Sequence, residues 1–262
     1  MSHKIGVFDS GIGGFSILRT LIQFYPEGEF YYISDAPHAP YGPKEPQFII
    51  ERSNQLLSEL VHAGCELVVV ACNSATGVAI EYLRSQFQIP IIGVEPYINS
   101  KHHIDFANKS MVGLMTKVTA NSTKFQKLKE RVDPEGHIEI FVCPNLASLV
   151  EMAFARQCLT EDLMLQVQKE LLPLKDRGFT HAILGCTHYS LIDSVIASYL
   201  GVKTLEPSSA VAKRMLSLLQ LSERTARPMQ DVRNVTFKFR LSTHGEWQNR
   251  ELASTILLWP RE

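Results

Sequence analysis

Leu67-Val68-Val69-Val70-Ala71-Cys72-Asn73-Ser74-Ala75-Thr76 is an apolar, largely β-branched run that passes directly into a polar turn. An apolar run with no polar alternation suits a strand of a parallel sheet, buried on both faces. Ser74 is placed to cap a helix over 75–87, and the amides at such a helix start lower the pKa of a neighbouring thiol. Cys72 is therefore expected where a thiolate is favoured. The arrangement returns in Ala182-Ile183-Leu184-Gly185-Cys186-Thr187-His188-Tyr189, where a buried strand again ends in cysteine and a hydroxyl residue before a helix. Two such strand ends point to two cysteines facing each other across one pocket.

Working outward, Lys4 to Phe8 reads as a first strand that delivers Asp9-Ser10-Gly11-Ile12-Gly13-Gly14 to a turn before a helix from Phe15 to Tyr25. Glycines let the backbone approach a ligand, and the helix start favours an anion. A dinucleotide fingerprint is the competing reading, since Gly11-x-Gly13-x-x-Ser16 is one residue short of GxGxxG and Asp35 lies about 20 residues on. Ser16 in the third glycine place and the charge of Asp9 beside a pyrophosphate weigh against it. Phe30 to Ser34 is a second strand, followed by a stiff loop, Asp35 to Pro46, with four prolines. Tyr41 offers a hydroxyl and Gly42 an amide there, at the carboxyl end of a strand, where open α/β sheets bind ligands. An amphipathic helix over 47–63 supplies core packing, and Ile91 to Val94 is a fourth strand.

VGLMTK at 112–117 lies over IGVFDS at 5–10, which puts Thr116 where Asp9 stands. With the echo between Cys72 and Cys186, this suggests two similar halves built on one strand–helix plan. In the second half, Ile138 to Cys143 is a strand and the helix after Pro144-Asn145 carries Glu151, which from spacing alone belongs on a solvent face. A helix over 161–175, a strand over 202–205 and a helix over 206–219 follow. After a loop over 222–231, the alternation in 235–241 predicts an edge strand and 246–257 a closing helix. The fold class is α/β, with two pseudo-symmetric lobes, each a mainly parallel sheet flanked by helices. Residues 1–96 plus 207–262 are expected to form lobe one and 97–206 lobe two, with the active site between them.

With 26 Lys+Arg against 27 Asp+Glu the chain has no electrostatic bias, and no basic run points to nucleic acid. No apolar run approaches the roughly 18 residues of a membrane span, and Met1-Ser2-His3-Lys4 leads into a strand rather than a signal peptide, so a cytoplasmic protein is expected. Five cysteines without a CxxC pair argue against a disulfide framework and a standard zinc site. Cys65, Cys143 and Cys158 read as small buried hydrophobes. A Cys-His nucleophile at Cys186 and His188 is too common a pattern to establish, and metal binding there lacks further ligands. Two thiols at matched positions suit a different chemistry, in which one takes a proton from one face of a carbon while the other returns one to the opposite face. A free thiol titrates near ~8.5, so each needs help, and Asp9 and His188 are the available helpers. Neither needs a cofactor.

DSGIGG at 9–14, PYG at 40–42, ACNSA at 71–75, GVEP at 93–96 and GCTHY at 185–189 closely resemble the cofactor-independent glutamate racemases of bacterial cell-wall synthesis, within the aspartate/glutamate racemase superfamily. The resemblance runs through essentially the whole chain in order. It implies two α/β lobes with glutamate bound between them, in a homodimer of the bacterial cytosol that needs no metal. Cys72 and Cys186 would be the acid/base pair, Asp9 would assist Cys72, and His188 would assist Cys186. Glu151 falls on the family's helix-borne glutamate, orienting His188 or placing the substrate ammonium. Asp9, Ser10, Tyr41, Gly42, Asn73, Ser74, Thr187 and His188 match substrate-holding positions, with Thr116 a softer match. Ser74-Ala75-Thr76 stands where the family usually has Thr-Ala-Ser, His38 where arginine is frequent, and Ser190 where proline is usual. These differences bear on substrate preference and rate. The neighbouring readings are an aspartate or broad-specificity racemase and a catalytically quiet binder of acidic amino acids. With no long extension ahead of Lys4, the precursor-activated regulation of some relatives is not expected.

Overall fold

The computed structural model describes residues 2–98, 110–243 and 245–252. Its first half holds strands β1 (Lys4–Asp9), β2 (Glu29–Ser34), β3 (Leu67–Val70) and β4 (Ile91–Gly93), with helices α1 (Phe15–Phe24), α2 (Pro46–His62) and α3 (Asn73–Gln86). The next stretch holds β5 (Met111–Met115), α4 (Lys117–Asn121), α5 (Thr123–Val132), β6 (Ile138–Val142), α6 (Leu146–Ala155), α7 (Glu161–Leu171), β7 (His181–Gly185), α8 (Asp193–Leu200) and β8 (Lys203–Leu205). Then come α9 (Ser208–Leu218), α10 (Met229–Val232), β9 (Thr236–Leu241) and β10 (Gln248–Glu251).

Two sheets result. The larger has the order β10-β9-β2-β1-β3-β4 and the smaller β6-β5-β7-β8. Within them β2-β1-β3-β4 and β6-β5-β7-β8 are the same winding, parallel throughout. The correspondence pairs β1 with β5 and β3 with β7, which is the duplication that the IGVFDS/VGLMTK echo suggests.

The apolar run of β3 is explained by the two layers it separates. Leu67 and Val69 join Ile5, Val7, Leu18 and Leu21 on one face. Val68 and Val70 join Phe8, Leu56, Leu57, Leu60 and Leu83 on the other. All four β3 side chains are fully buried, each worth about 1.5–3 kcal/mol relative to exposure. The first of these clusters continues into the second sheet through Val112, Leu114, Ala182 and Leu184, so one core underlies both halves. A third, around Met111, Met115, Phe125, Leu128 and Ile183, fills the opposite face of the smaller sheet.

Three local expectations need correction. Residues 246–257 do not open as a helix: Gln248–Glu251 is strand β10, antiparallel to β9, and 253–257 lie outside the described residues. Trp247 packs edge-on against Tyr31 at 4.9 Å, Arg240 lies over the Trp247 ring, and Arg250 lies over Phe239. These contacts hold the segment extended. In consequence β9 is no edge strand, being flanked by β2 and β10. The loop over 222–231 runs into the short helix α10 at its end. Among the described residues no helix is long and apolar enough to cross a membrane.

Candidate active site

The carboxyl ends of β1, β3, β5 and β7 meet. Asp9, the last residue of β1, is fully buried. Its Oδ2 accepts from the Gly11 amide at 2.8 Å and its Oδ1 from the Thr187 hydroxyl, 3.3 Å away beyond β7. Cys72 follows β3 and caps α3 itself, its Sγ accepting from the Ala75 amide at 3.5 Å. The cap therefore falls on Cys72 rather than on Ser74. Ser74 lies inside the helix, with its hydroxyl 2.9 Å from that of Thr116 after β5. The Cys72 thiol points to the Ser10 hydroxyl at 3.7 Å.

The matching end of β7 carries Cys186, whose Sγ lies 3.7 Å from His188 Nδ1. His188 Nε2 sits 2.6 Å from Glu151 Oε1, which also accepts from the Ile12 amide at 2.9 Å. Glu151 is thus turned inward from α6, against the solvent-face reading of its spacing. It joins the glycine turn after β1 to the histidine after β7.

The two thiols stand at matched strand ends that the Thr187–Asp9 hydrogen bond ties together. Cys72 is buried, and burial raises its pKa well above that of a free thiol. The carboxylate of Asp9 raises it further, and the Ala75 amide lowers it only in part. Burial and the Asp9 carboxylate thus oppose the thiolate that the helix start favours. Burial likewise raises the Asp9 pKa, with His188 opposing. For His188, burial works against the imidazolium, yet the hydrogen bonds to Cys186 and Glu151 outweigh it and hold the pKa well above 6.5. For Glu151, burial favours the acid, and the bond to His188 reverses that and lowers its pKa.

Close approach explains the glycines. A Cβ on Gly13 would lie 2.6 Å from Thr187 Oγ1 and 2.7 Å from the His188 amide nitrogen, and one on Gly11 would strike the Glu151 carboxylate. The turn is filled by protein groups from the other half, not open to a pyrophosphate. Asp35 is no ribose partner either, because Arg52, Tyr41 and His38 converge on its buried carboxylate. The sequence-predicted residues gather about these strand ends, but the Tyr41 hydroxyl offered to a ligand is already engaged, and so is the Asn73 side chain. The Tyr41 hydroxyl is taken by Asp35 at 2.5 Å, and the Asn73 side chain donates to the Val94 carbonyl at 3.0 Å. Gly42 sits against Thr116, 3.0 Å from its Cβ as an added Cβ would see it.

Sequence reading missed Arg52 and Thr119, which hydrogen-bonds with Thr116 at 2.9 Å. Arg52 lies on α2, 17 residues from Asp35, with no local pattern to betray the pairing. Of the three cysteines read as core residues, Cys65 and Cys143 are buried but Cys158 is exposed, just beyond the end of α6.

A thiol at the matching strand end of each half, with Cys186 beside His188 and Asp9 buried at the neighbouring end of β1, is an arrangement that can move a proton between the two faces of a carbon. That is the chemistry of two-base racemases and epimerases. The family model for Asp/Glu/hydantoin racemases matches residues 16–215, and the chain belongs to that family. It is 34% identical to the glutamate racemase of Methylococcus capsulatus over 261 residues, 98% of this chain and 92% of that one. Among solved structures, Escherichia coli glutamate racemase in complex with L-glutamate and the activator UDP-MurNAc-Ala superposes with a TM-score of 0.77 at 26% identity, covering 98% and 93% of the two chains. Francisella tularensis glutamate racemase in complex with D-glutamate does so with a TM-score of 0.72 at 27% identity, covering 93% and 89%.

Proposed function

We propose that the protein is a glutamate racemase that interconverts L- and D-glutamate with two thiols and no cofactor. The observation that carries this reading is the placement of Cys72 and Cys186 after the equivalent strands β3 and β7, at strand ends joined by the Thr187–Asp9 hydrogen bond. A thiolate on one side removes the Cα proton. The electron pair passes into the α-carboxylate, and the thiol on the other side protonates the opposite face. Reversing the roles returns the first enantiomer.

The Cys72 thiol is suited to be the acid that reprotonates the carbon in one direction. Asp9, buried at the neighbouring end of β1, is suited to take the thiol's proton when the direction reverses. His188, held protonated by Glu151, is suited to stabilise a Cys186 thiolate 3.7 Å away. Burial makes these charge interactions stronger than they would be in water. Ser10, Gly42, Ser74, Thr116 and Thr187, at these strand ends, are the residues the proposal gives to the substrate's carboxylates, the Gly42 amide among them. The likeness to relatives named glutamate racemase supports glutamate as the substrate, and with it a supply of D-glutamate for peptidoglycan precursors. A homodimer in the bacterial cytosol completes the proposal.

The test is exchange of the glutamate α-hydrogen with solvent deuterium, followed together with optical rotation. Wild type should exchange and racemise. Cys72→Ser and Cys186→Ser should each lose turnover in both directions by at least ~10³-fold, the scale of removing a positioned acid or base. Racemisation of aspartate alone, or glutamate binding indifferent to both substitutions with no loss of rotation, would refute the assignment.

A further inference from the structure

We infer that Asp35 is the positioning residue for the Pro40-Tyr41-Gly42 segment and, through it, for a carboxylate of the bound amino acid. The inference rests on the glutamate racemase reading above. Asp35 follows β2 and is fully buried. Its carboxylate gathers three side chains. Oδ1 accepts from Arg52 Nη2 at 2.7 Å and lies 2.9 Å from His38 Nδ1. Oδ2 accepts from the Tyr41 hydroxyl at 2.5 Å and from Arg52 Nε at 3.2 Å. The Asp35 amide donates to the Asp9 carbonyl at 3.0 Å, so the same residue is tied to the strand end that carries the helper of Cys72.

This arrangement exceeds what a connecting loop needs. A carboxylate this deep persists only when paired and hydrogen-bonded. The two-pronged Arg52 contact fixes its direction, which a lysine at that place does not reproduce. Tyr41 is held buried and Gly42 is set against Thr116 of the other half. The three side chains direct polar atoms at Asp35, not at either thiol or at His188. What they hold in place is a backbone segment on the rim of the site, whose amide can bind an anion only if its direction is fixed before substrate arrives. Loosening the anchor should weaken binding of both enantiomers alike, because the groups that exchange the proton stay where they are.

The experiment is steady-state racemisation of L- and D-glutamate by circular dichroism for wild type, Asp35→Asn, Arg52→Lys and Tyr41→Phe, with a melting curve for each. Asp35→Asn and Arg52→Lys are expected to raise KM for both enantiomers by about 10-fold or more, with kcat within roughly 3-fold of wild type. Tyr41→Phe should reproduce part of the KM rise with kcat unchanged and a melting temperature a few degrees lower, because Asp35 loses one hydrogen bond; a merely structural role would lower the melting temperature and leave KM alone. If Asp35→Asn fails to fold, the other two variants decide. A KM within about 2-fold of wild type in both, or a fall in kcat at constant KM, overturns the inference. A wild type that does not racemise glutamate overturns the functional reading instead. Calorimetric titration of the same variants with L-glutamate then tests the anchor by itself, with unchanged affinity overturning it.

Discussion

At the scale of single residues, the pairing of His188 with Glu151 ties catalysis to pH through stability. The His188 side chain is 2% exposed and that of Glu151 20%, and their contact is 2.6 Å. The folded pKa of His188 lies above that of an unfolded histidine. Its imidazolium therefore contributes stability in full below about pH 6.5, and the contribution is lost as pH rises through the folded value. Glu151 has the opposite sign: with a lowered folded pKa, its contribution is present above about pH 4.3 and lost as pH falls through the folded value. Both are in place between about pH 4.3 and 6.5. Glu151→Gln should cost about 3 kcal/mol near pH 6, the scale of breaking a buried pair. The gap from wild type should narrow as pH is raised or lowered from there, read as melting temperature against pH. A gap that does not change with pH would mean that the pair is not ionised. The sequence marks His188 by its place beside Cys186. The inward turn of Glu151 depends on Ile12 and His188, far away in the chain, and spacing along α6 does not reveal it.

At the scale of elements, the strands were legible wherever burial on both faces suppressed polar alternation, as in Leu67–Val70 and His181–Gly185. They were least legible at the carboxyl terminus. Residues 246–251 carry no β-branched side chain, so local propensity gives no reason for β10, and contacts with β2 and β9 supply it. Trp247 is the anchor, meeting Tyr31 of β2 edge-on at 4.9 Å and covered by Arg240 of β9 at 4.8 Å. Trp247→Ala should destabilise the protein by about 1–3 kcal/mol through lost ring contact and burial. It should appear as a lower urea midpoint at unchanged slope. The glutamate kinetic constants should stay put, since β10 lies at the far edge of the larger sheet from β3 and Cys72. An unchanged midpoint would mean that backbone pairing to β9 is enough to hold β10.

At the scale of the whole molecule, what matters is how the two sheets are brought together. The repeated strand–helix plan was readable from the matched motifs, because each half must solve the same packing problem with the same alternation of strand and helix; the strand order itself was not. The contacts that join the halves were not readable, because they pair residues from distant parts of the chain: Asp9 with Thr187, Ile12 with Glu151, Ser74 with Thr116. Gly13 lies in the middle of this seam. A methyl group there would sit 2.6 Å from Thr187 Oγ1 and 2.7 Å from the His188 amide nitrogen, and backbone cannot yield as a flexible side chain can. Gly13→Ala should therefore be accommodated by a slight parting of the halves at this turn, too small to open the apolar core they share, which moves His188 and Cys186 away from Asp9 and Cys72. A misplacement of about 1 Å costs on the order of 10²-fold in rate, so kcat should fall by that factor while the melting temperature drops by only a few degrees. Small-angle scattering should show a larger radius of gyration for Gly13→Ala. If kcat falls with no change in dimensions, the loss lies in the turn itself. If both are unchanged, the seam is not held as closely as the glycine contacts require.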